Sequence, residues 1–438
     1  VEEKRMSPAD NPSPGEQGAG VKTYYDEQET RSRDEREESM NRDIAEMVRL
    51  GYERSSTVKK TMDGLGMKPS DIQGTRDLVN LPVISREQLV ELQAITPPFG
   101  GLDDPGAEIE RIFISPGPVY EPHLGSHDPL WARGYQAAGF TKGDVVINTF
   151  SYHMVAAGLT FHGGLTRVGA TVVPSGASST QQQVQLIRDL GVTGYTGTPS
   201  FLMALIEKAS EMGHDFAKDF TLRRASFVAE PLQPSLRKRF EEEFGIDTYQ
   251  MYGATEVGDI AYECGEKSGW HLCEEVFVEI VDPVTGTPVQ PGELGEVVVT
   301  RLNSIFFLFR FGTGDLSRII EEPCPCGRTA LRLDGIAGRV GDAVKVRGLF
   351  VAPSQVGNLA AQFPGIALQL LIERQAHRDI LTARIDLRDT MIDRGEFLPR
   401  FERIFQEVCT VKVDKVVFTE PGSIPDDAKV LQDTREWK

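Results

Sequence analysis

Between Val145 and Met251 the chain alternates short apolar runs with helical-period segments. The apolar runs are Val145–Phe150, Thr171–Pro174, Val192–Thr196, Arg224–Val228 and Asp247–Met251. The segments between them are Ala156–Val168, Gln181–Leu190, Ser200–Met212 and Gln233–Phe244. Alternation of this kind predicts an α/β fold with a parallel sheet and right-handed crossovers. Ligands of such sheets bind beyond the strand ends, so chemistry is expected in the loops that follow the apolar runs.

After Glu256 the pattern changes. Val276–Val281, Gly295–Arg301 and Phe306–Phe309 read as short strands separated by Asp-Pro and Gly-Glu turns, which predicts an antiparallel, β-rich subdomain over about residues 257–338. From residue 339 to 438 helix and strand alternate again, over a length typical of one small α+β domain. At the other end, residues 1–36 are charged and without periodicity and read as a flexible arm; an arm that wraps a neighbouring copy, as in a homodimer, is the other arrangement left open. The large domain is expected over 37–338. It opens with a helical pattern over Ser39–Tyr52 marked by Met40, Ile44, Met47, Val48 and Leu50, and a capped helix start follows at Ser85-Arg-Glu-Gln-Leu.

Composition narrows the partners. With 65 acidic against 47 basic side chains the net charge is −18, which argues against a nucleic-acid-binding surface and against anionic membranes. No apolar run approaches the roughly 20 residues that span a bilayer, the first residues do not form a secretory signal, and a cytoplasmic location is the default expectation. Five cysteines are too few for a disulfide scaffold of 438 residues. Cys264 and His271 lie seven apart, Cys324 and Cys326 flank a proline before Gly327, and this donor set suits a closed tetrahedral Zn²⁺ site. Cys273 is an alternative to His271, and metal-free buried thiols are the plainer reading; Cys409 reads as helix core.

Three segments matter in combination. Tyr252-Gly-Ala-Thr-Glu follows a strand, with a hydroxyl (Thr255) able to meet a phosphate and a carboxylate (Glu256) able to hold Mg²⁺. Phe311-Gly-Thr-Gly-Asp-Leu displays Asp315, a carboxylate suited to the two hydroxyls of a ribose, and Gly338-Arg-Val-Gly-Asp followed by Lys345-Val-Arg-Gly reads as a basic hinge. Each alone is an ordinary turn or linker. In this order they resemble the adenylate-forming superfamily of acyl-CoA ligases, and closer in the phenylacetate–CoA ligase type. Met67–Leu89 (MKPSDIQGTRDLVNLPVISREQL), Gly197-Thr-Pro-Ser, Ala229-Glu-Pro and Gly422–Lys429 (GSIPDDAK) support the closer likeness.

The resemblance implies a carboxylic acid–CoA ligase that uses ATP, CoA and Mg²⁺ and passes through an acyl-adenylate. Ala229, Glu230, Pro231, Tyr252 and Gly253 would frame the adenine, Thr255 would meet the α-phosphate, Glu256 would hold Mg²⁺, and Asp315 and Arg339 would serve the ribose. Lys429 would be the adenylation lysine, a mobile ammonium for the charge that builds when two anions react. After adenylation the small domain would rotate and open a CoA path past Lys345, Arg347 and Gly348. Phe150, Tyr152, His153 and Met154 would line the acid pocket, with an aryl acetate or a short branched or 2-hydroxy acid as substrate. Some phenylacetate-ligase-like proteins carry a structural zinc at the positions of Cys264, His271, Cys324 and Cys326.

Two departures stand out. The phosphate loop falls at Ser115-Pro-Gly-Pro-Val-Tyr-Glu-Pro, where two prolines remove donors and Glu121 replaces a lysine, a change expected to repel a triphosphate. Gly341 stands where a hinge aspartate is usual. The loss at the phosphate loop keeps a non-catalytic nucleotide- or CoA-binding relic in view, and acyl transfer to a carrier protein is the other alternative.

Overall fold

The computed structural model describes residues 24–115, 118–123, 131–347, 349–375, 378–388, 392–426 and 428–435. A hairpin of β1 (Ile112–Ser115) and β2 (Val119–Pro122) precedes the expected alternation. β3 (Val145–Asn148), β4 (Thr171–Val173), β5 (Gly194–Gly197), β6 (Arg224–Phe227) and β7 (Asp247–Ala254) are all parallel, in the spatial order β4-β3-β5-β6-β7. The order reverses at β3, which opens a crevice at the carboxyl ends of the strands.

The chain then turns back on itself. β8 (Gly258–Glu263) runs antiparallel to β7, and β9 (Trp270–Leu272) to β8. β10 (Val276–Val281), β11 (Gly295–Arg301) and β12 (Phe311–Ser317) begin a second sheet. β13 (Ile319–Ile320) and β14 (Arg332–Leu333) extend the first to nine strands, and β15 (Gly338–Arg339) closes the second as β10-β11-β12-β15. Phe306–Phe309, read from sequence as a strand, is a buried irregular segment whose only bridge pairs Phe306 with Asp103. Its four apolar side chains have no polar alternation because they pack beneath the first helix, where a β-carbon on Gly51 would lie 3.0 Å from the Phe309 ring.

A separate core begins at Val346. β16 (Val344–Val346) and β17 (Leu349–Val351) form a hairpin. β18 (Ile366–Gln375), β19 (Arg378–Leu387), β20 (Lys415–Thr419) and β21 (Leu431–Asp433) make a sheet in the order β20-β19-β18-β21, covered by helices Pro353–Ala361 and Arg394–Cys409. A small cluster of Leu294, Leu316, Phe350 and Ala352 joins this unit to the rest. Among the described residues no helix is long and apolar enough to cross a membrane.

Residues 24–36, read as part of a flexible arm, are packed on their own chain; residues 1–23 lie outside the described residues. Arg133, 1 % exposed, donates to Asp26 at 2.8 Å and to Glu275 at 2.7 Å. The Tyr24 hydroxyl donates to the Cys326 carbonyl at 3.0 Å, and Thr329 Oγ1 to the Arg31 carbonyl at 2.5 Å. Charge without periodicity reads as solvated segment; here the opposite charges lie hundreds of residues away, and only the fold brings them close. Ser32 then starts helix Arg33–Arg54 with a capping box, six residues earlier than the apolar stripe suggests.

Candidate active site

β7 ends on the Tyr252–Glu256 segment. The Tyr252 hydroxyl donates to Asp315 Oδ2 at 2.9 Å and lies 3.2 Å from Thr313 Oγ1. Pairing of β12 with β15 sets Asp315 opposite Arg339, whose Nη1 is 2.6 Å from Asp315 Oδ1. Burial, reinforced by the Asp315 charge, holds the Tyr252 phenol well above its ordinary pKa, so it stays a donor. Gly253 is obligatory at this turn: a β-carbon there would lie 2.4 Å from the Gly258 carbonyl oxygen and 2.5 Å from the Trp131 ring. Ala229, Glu230 and Pro231 follow β6 and are exposed, with Ala229 in the left-handed region (φ 71°) and Glu230 Oε2 accepting from the Ser200 N–H at 3.3 Å.

Thr255 Oγ1 donates to Glu256 Oε2 at 3.2 Å. The Glu256 carboxylate is buried and ion-paired with Arg86, whose other nitrogen donates to Ser115 Oγ at 3.0 Å. Ser115 in turn donates to Glu121 Oε1 at 2.5 Å. Burial pushes the Glu121 carboxyl up to about 7; the Glu256 charge adds to the rise, and the Ser115 and Thr255 hydroxyls and Arg86 oppose it. Glu121 is therefore folded in against Ser115, not displayed toward solvent as a full charge. Pro116 and Gly117 of this loop lie outside the described residues.

Arg86 is the site residue that sequence reading passed over, noted only as the first residue of a capped helix. Its signal was local: a cation in the first turn of helix Arg86–Ile95 opposes the positive end of the helix dipole. Such a residue is placed by its tertiary partners, not by the helix.

Beside Thr255 and Glu121 lies a cavity of about 160 Å³ lined mainly by Phe113, Trp131, Phe150, Ala157, Phe161 and Val228. Phe161 stacks on Phe150 with centroids 4.6 Å apart and lies 4.5 Å from Trp131. Of the four residues expected to line an acid pocket, only Phe150 does. Tyr152 turns to Asn148 (2.8 Å) and His162 (3.2 Å), while His153 and Met154 are exposed at a turn whose Met154 carbonyl accepts from the Ile114 N–H. The backbone after β3 turns tightly there, with Met154 at φ 60°.

In the C-terminal unit Gly348 lies outside the described residues and Lys345 sits in β16 opposite Phe350. Arg347 pairs with Asp414 at 3.1 Å. Lys429 is exposed, and its carbonyl accepts from Gln369 Nε2 at 2.9 Å. The interactions described for Arg347 and Lys429 stay within this unit.

Cys264, His271, Cys324 and Cys326 converge, their ligand atoms all within 4.8 Å of one another. Cys264 and Cys324 Sγ are 3.7 Å apart, and Cys326 Sγ is 3.3 Å from His271 Nε2. Tetrahedral Zn–S bonds of about 2.3 Å put two sulfurs about 3.8 Å apart, so the spacing fits an ion at the centre. The Cys264 thiol gives its proton toward Cys326, which drives the Cys326 pKa far down and that of Cys264 far up. Cys273 is outside the cluster and donates to Asp259 Oδ2 at 3.6 Å.

Comparison with known proteins agrees with this geometry. Residues 125–304 match the AMP-binding enzyme family. A phenylacetate-coenzyme A ligase of Thermus thermophilus is 30% identical over 89% of this chain and 88% of its own. The chain belongs to the phenylacetate-coenzyme A ligase family. The Escherichia coli member is also 30% identical, over 92% of this chain and 95% of its own. The family's fold extends further: a solved open conformation of a 2-hydroxyisobutyryl-CoA ligase, in complex with 2-HIB-AMP and CoA, superposes with a TM-score of 0.79 at 24% identity, covering 93% of each chain.

Proposed function

We propose that the chain is an AMP-forming carboxylic acid–CoA ligase: ATP and an acid give an acyl-adenylate and pyrophosphate, and CoA then gives the thioester and AMP. The observation that carries this reading is the contact of Tyr252 and Arg339 with Asp315, Tyr252 being on the same segment as Thr255 and Glu256, of which Thr255 lines an aromatic-walled cavity. Asp315 already holds a phenol and a guanidinium, the contacts that fix a carboxylate ready to accept hydroxyl protons from a ribose. Glu256 is the oxygen donor that would hold Mg²⁺, which when bound neutralises charge on the ATP phosphates, and the Thr255 hydroxyl would meet the α-phosphate. Relatives named phenylacetate-coenzyme A ligases and the ring-lined cavity support an aryl or compact branched acid.

Arg86 takes the place of the missing phosphate-loop lysine. It lies between Ser115, the first residue of that loop, and Glu256. Glu256 would hold Mg²⁺, and Arg86 would be the cation beside it that pairs with the ATP phosphates. Arg86→Ala is expected to raise the KM for ATP about 10- to 100-fold, the scale of a lost charge-assisted hydrogen bond, with the KM for the acid within a few-fold. An unchanged KM for ATP would remove this role.

The test of the whole reading is AMP release that requires both ATP and CoA, across aryl acetates, benzoates and short-chain acids. No pyrophosphate release with any acid, with AMP still bound, would favour the relic. Pyrophosphate release that needs a carrier protein for turnover would favour acyl transfer to that carrier. We also infer that Cys264, His271, Cys324 and Cys326 hold a structural Zn²⁺, supported by the spacing of their ligand atoms.

A further inference from the structure

The cavity has one polar feature that its apolar walls do not explain. Glu121 is 4 % exposed and lines the cavity beside Thr255. Its Oε1 takes the Ser115 hydroxyl at 2.5 Å, but Oε2 is buried with no hydrogen bond, and the Thr255 hydroxyl is committed to Glu256. The other carboxylate on the cavity wall, Asp259, is satisfied by Arg301 at 3.1 Å and by the Cys273 thiol. A buried carboxyl oxygen left unpaired is costly, and a bound ligand that supplies its partner recovers that cost.

We propose that Glu121 Oε2 binds a hydroxyl on the carbon next to the substrate's carboxylate, so that the preferred acids are 2-hydroxy acids. This rests on the ligase reading above and refines its substrate class. Position follows from the neighbours: Glu121 accepts from Ser115 and lines the cavity beside Thr255, the end of the cavity at which the acid's carboxylate would meet the α-phosphate. A group that Glu121 meets there is an atom or two from that carboxylate, while the remainder of the acid faces Phe150, Phe161 and Trp131. A hydroxyl suits either protonation state of Glu121, since it donates to a carboxylate and accepts from a carboxylic acid. Without it, an ionised Glu121 faces the substrate's carboxylate directly.

The experiment compares kcat/KM for two matched pairs, phenylacetate with 2-hydroxy-2-phenylacetate and isobutyrate with 2-hydroxyisobutyrate, in the full chain and in Glu121→Leu and Glu121→Gln. The expected preference for the hydroxy acid is about 10- to 100-fold in at least one pair. It should fall to about one or below in Glu121→Leu and partly persist in Glu121→Gln, whose amide oxygen still accepts. Because each variant is read as a ratio of two substrates, a general loss of activity cancels. Preference for the deoxy acids, or a hydroxy preference unchanged in Glu121→Leu, overturns the proposal while leaving the ligase reading intact. Silence on all four acids and on the wider panel overturns both.

Discussion

Lys429→Ala is expected to reduce pyrophosphate release from ATP and the acid by at least about 100-fold, the scale of removing one charge-stabilising donor from an acyl- or phosphoryl-transfer site. The same variant, given pre-formed acyl-adenylate and CoA, should form thioester within a few-fold of the parent rate. The split follows from where charge develops. Attack of a carboxylate on the α-phosphorus brings two anions together, and an ammonium lowers that barrier; attack of a thiol on an acyl-adenylate has no such need. In the structure the Lys429 side chain is exposed, its backbone is tied to β18 through Gln369, and it belongs to the unit that the small Leu294–Ala352 cluster joins to the rest. Lys429→Arg should recover little, because a planar guanidinium does not replace a compact point charge. Equal loss in both half-reactions would show that Lys429 is not the adenylation lysine.

The second large effect is on stability. Cys324→Ser, or removal of metal by a chelator, is expected to cost more than about 4 kcal/mol and to lower metal content below one ion per chain. The cluster ties β9, which carries His271, to the loop that carries Cys324 and Cys326, and that loop holds residues 24–31 through the Cys326 carbonyl and Thr329. Loss of an ion held there would free buried thiols and loosen both attachments. Early proteolytic cleavage near residues 24–36 should therefore accompany the fall in melting temperature. Cys273→Ser, outside the cluster, should leave metal content unchanged. If Cys324→Ser retains metal and melts with the parent, the zinc assignment fails.

Much of the site was legible because its residues sit in short local motifs. Thr255 and Glu256 follow the last parallel strand, Asp315 follows Gly312 and Gly314, which read as a turn but lie within β12, and the two cysteines flank one proline; each motif announces itself within a few residues. The aromatic-walled cavity was not legible in this way. Its walls come from β1, β2, a helix near Phe161 and the loops after β3 and β6, so adjacency in sequence to Phe150 assigned Tyr152, His153 and Met154 to a wall they do not form. Glu121 was visible as a charge reversal, but its consequence was not. A carboxylate in sequence carries a full charge, and only its burial against Ser115 raises its pKa to about 7.

The sequence alone determined the order of α/β alternation, the switch to antiparallel strands after Glu256 and the positions of the nucleotide motifs, because these depend on short-range periodicity and turn chemistry. Only the tertiary structure decided that residues 24–36 are held by Arg133 and Thr329, that Arg86 joins Ser115 to Glu256, and that His271 and not Cys273 completes the cysteine cluster. Each of those outcomes pairs groups far apart in the chain. Their energies come from burial and from opposed charges at contact distance, and neither exists until the sheets and helices have set the groups side by side.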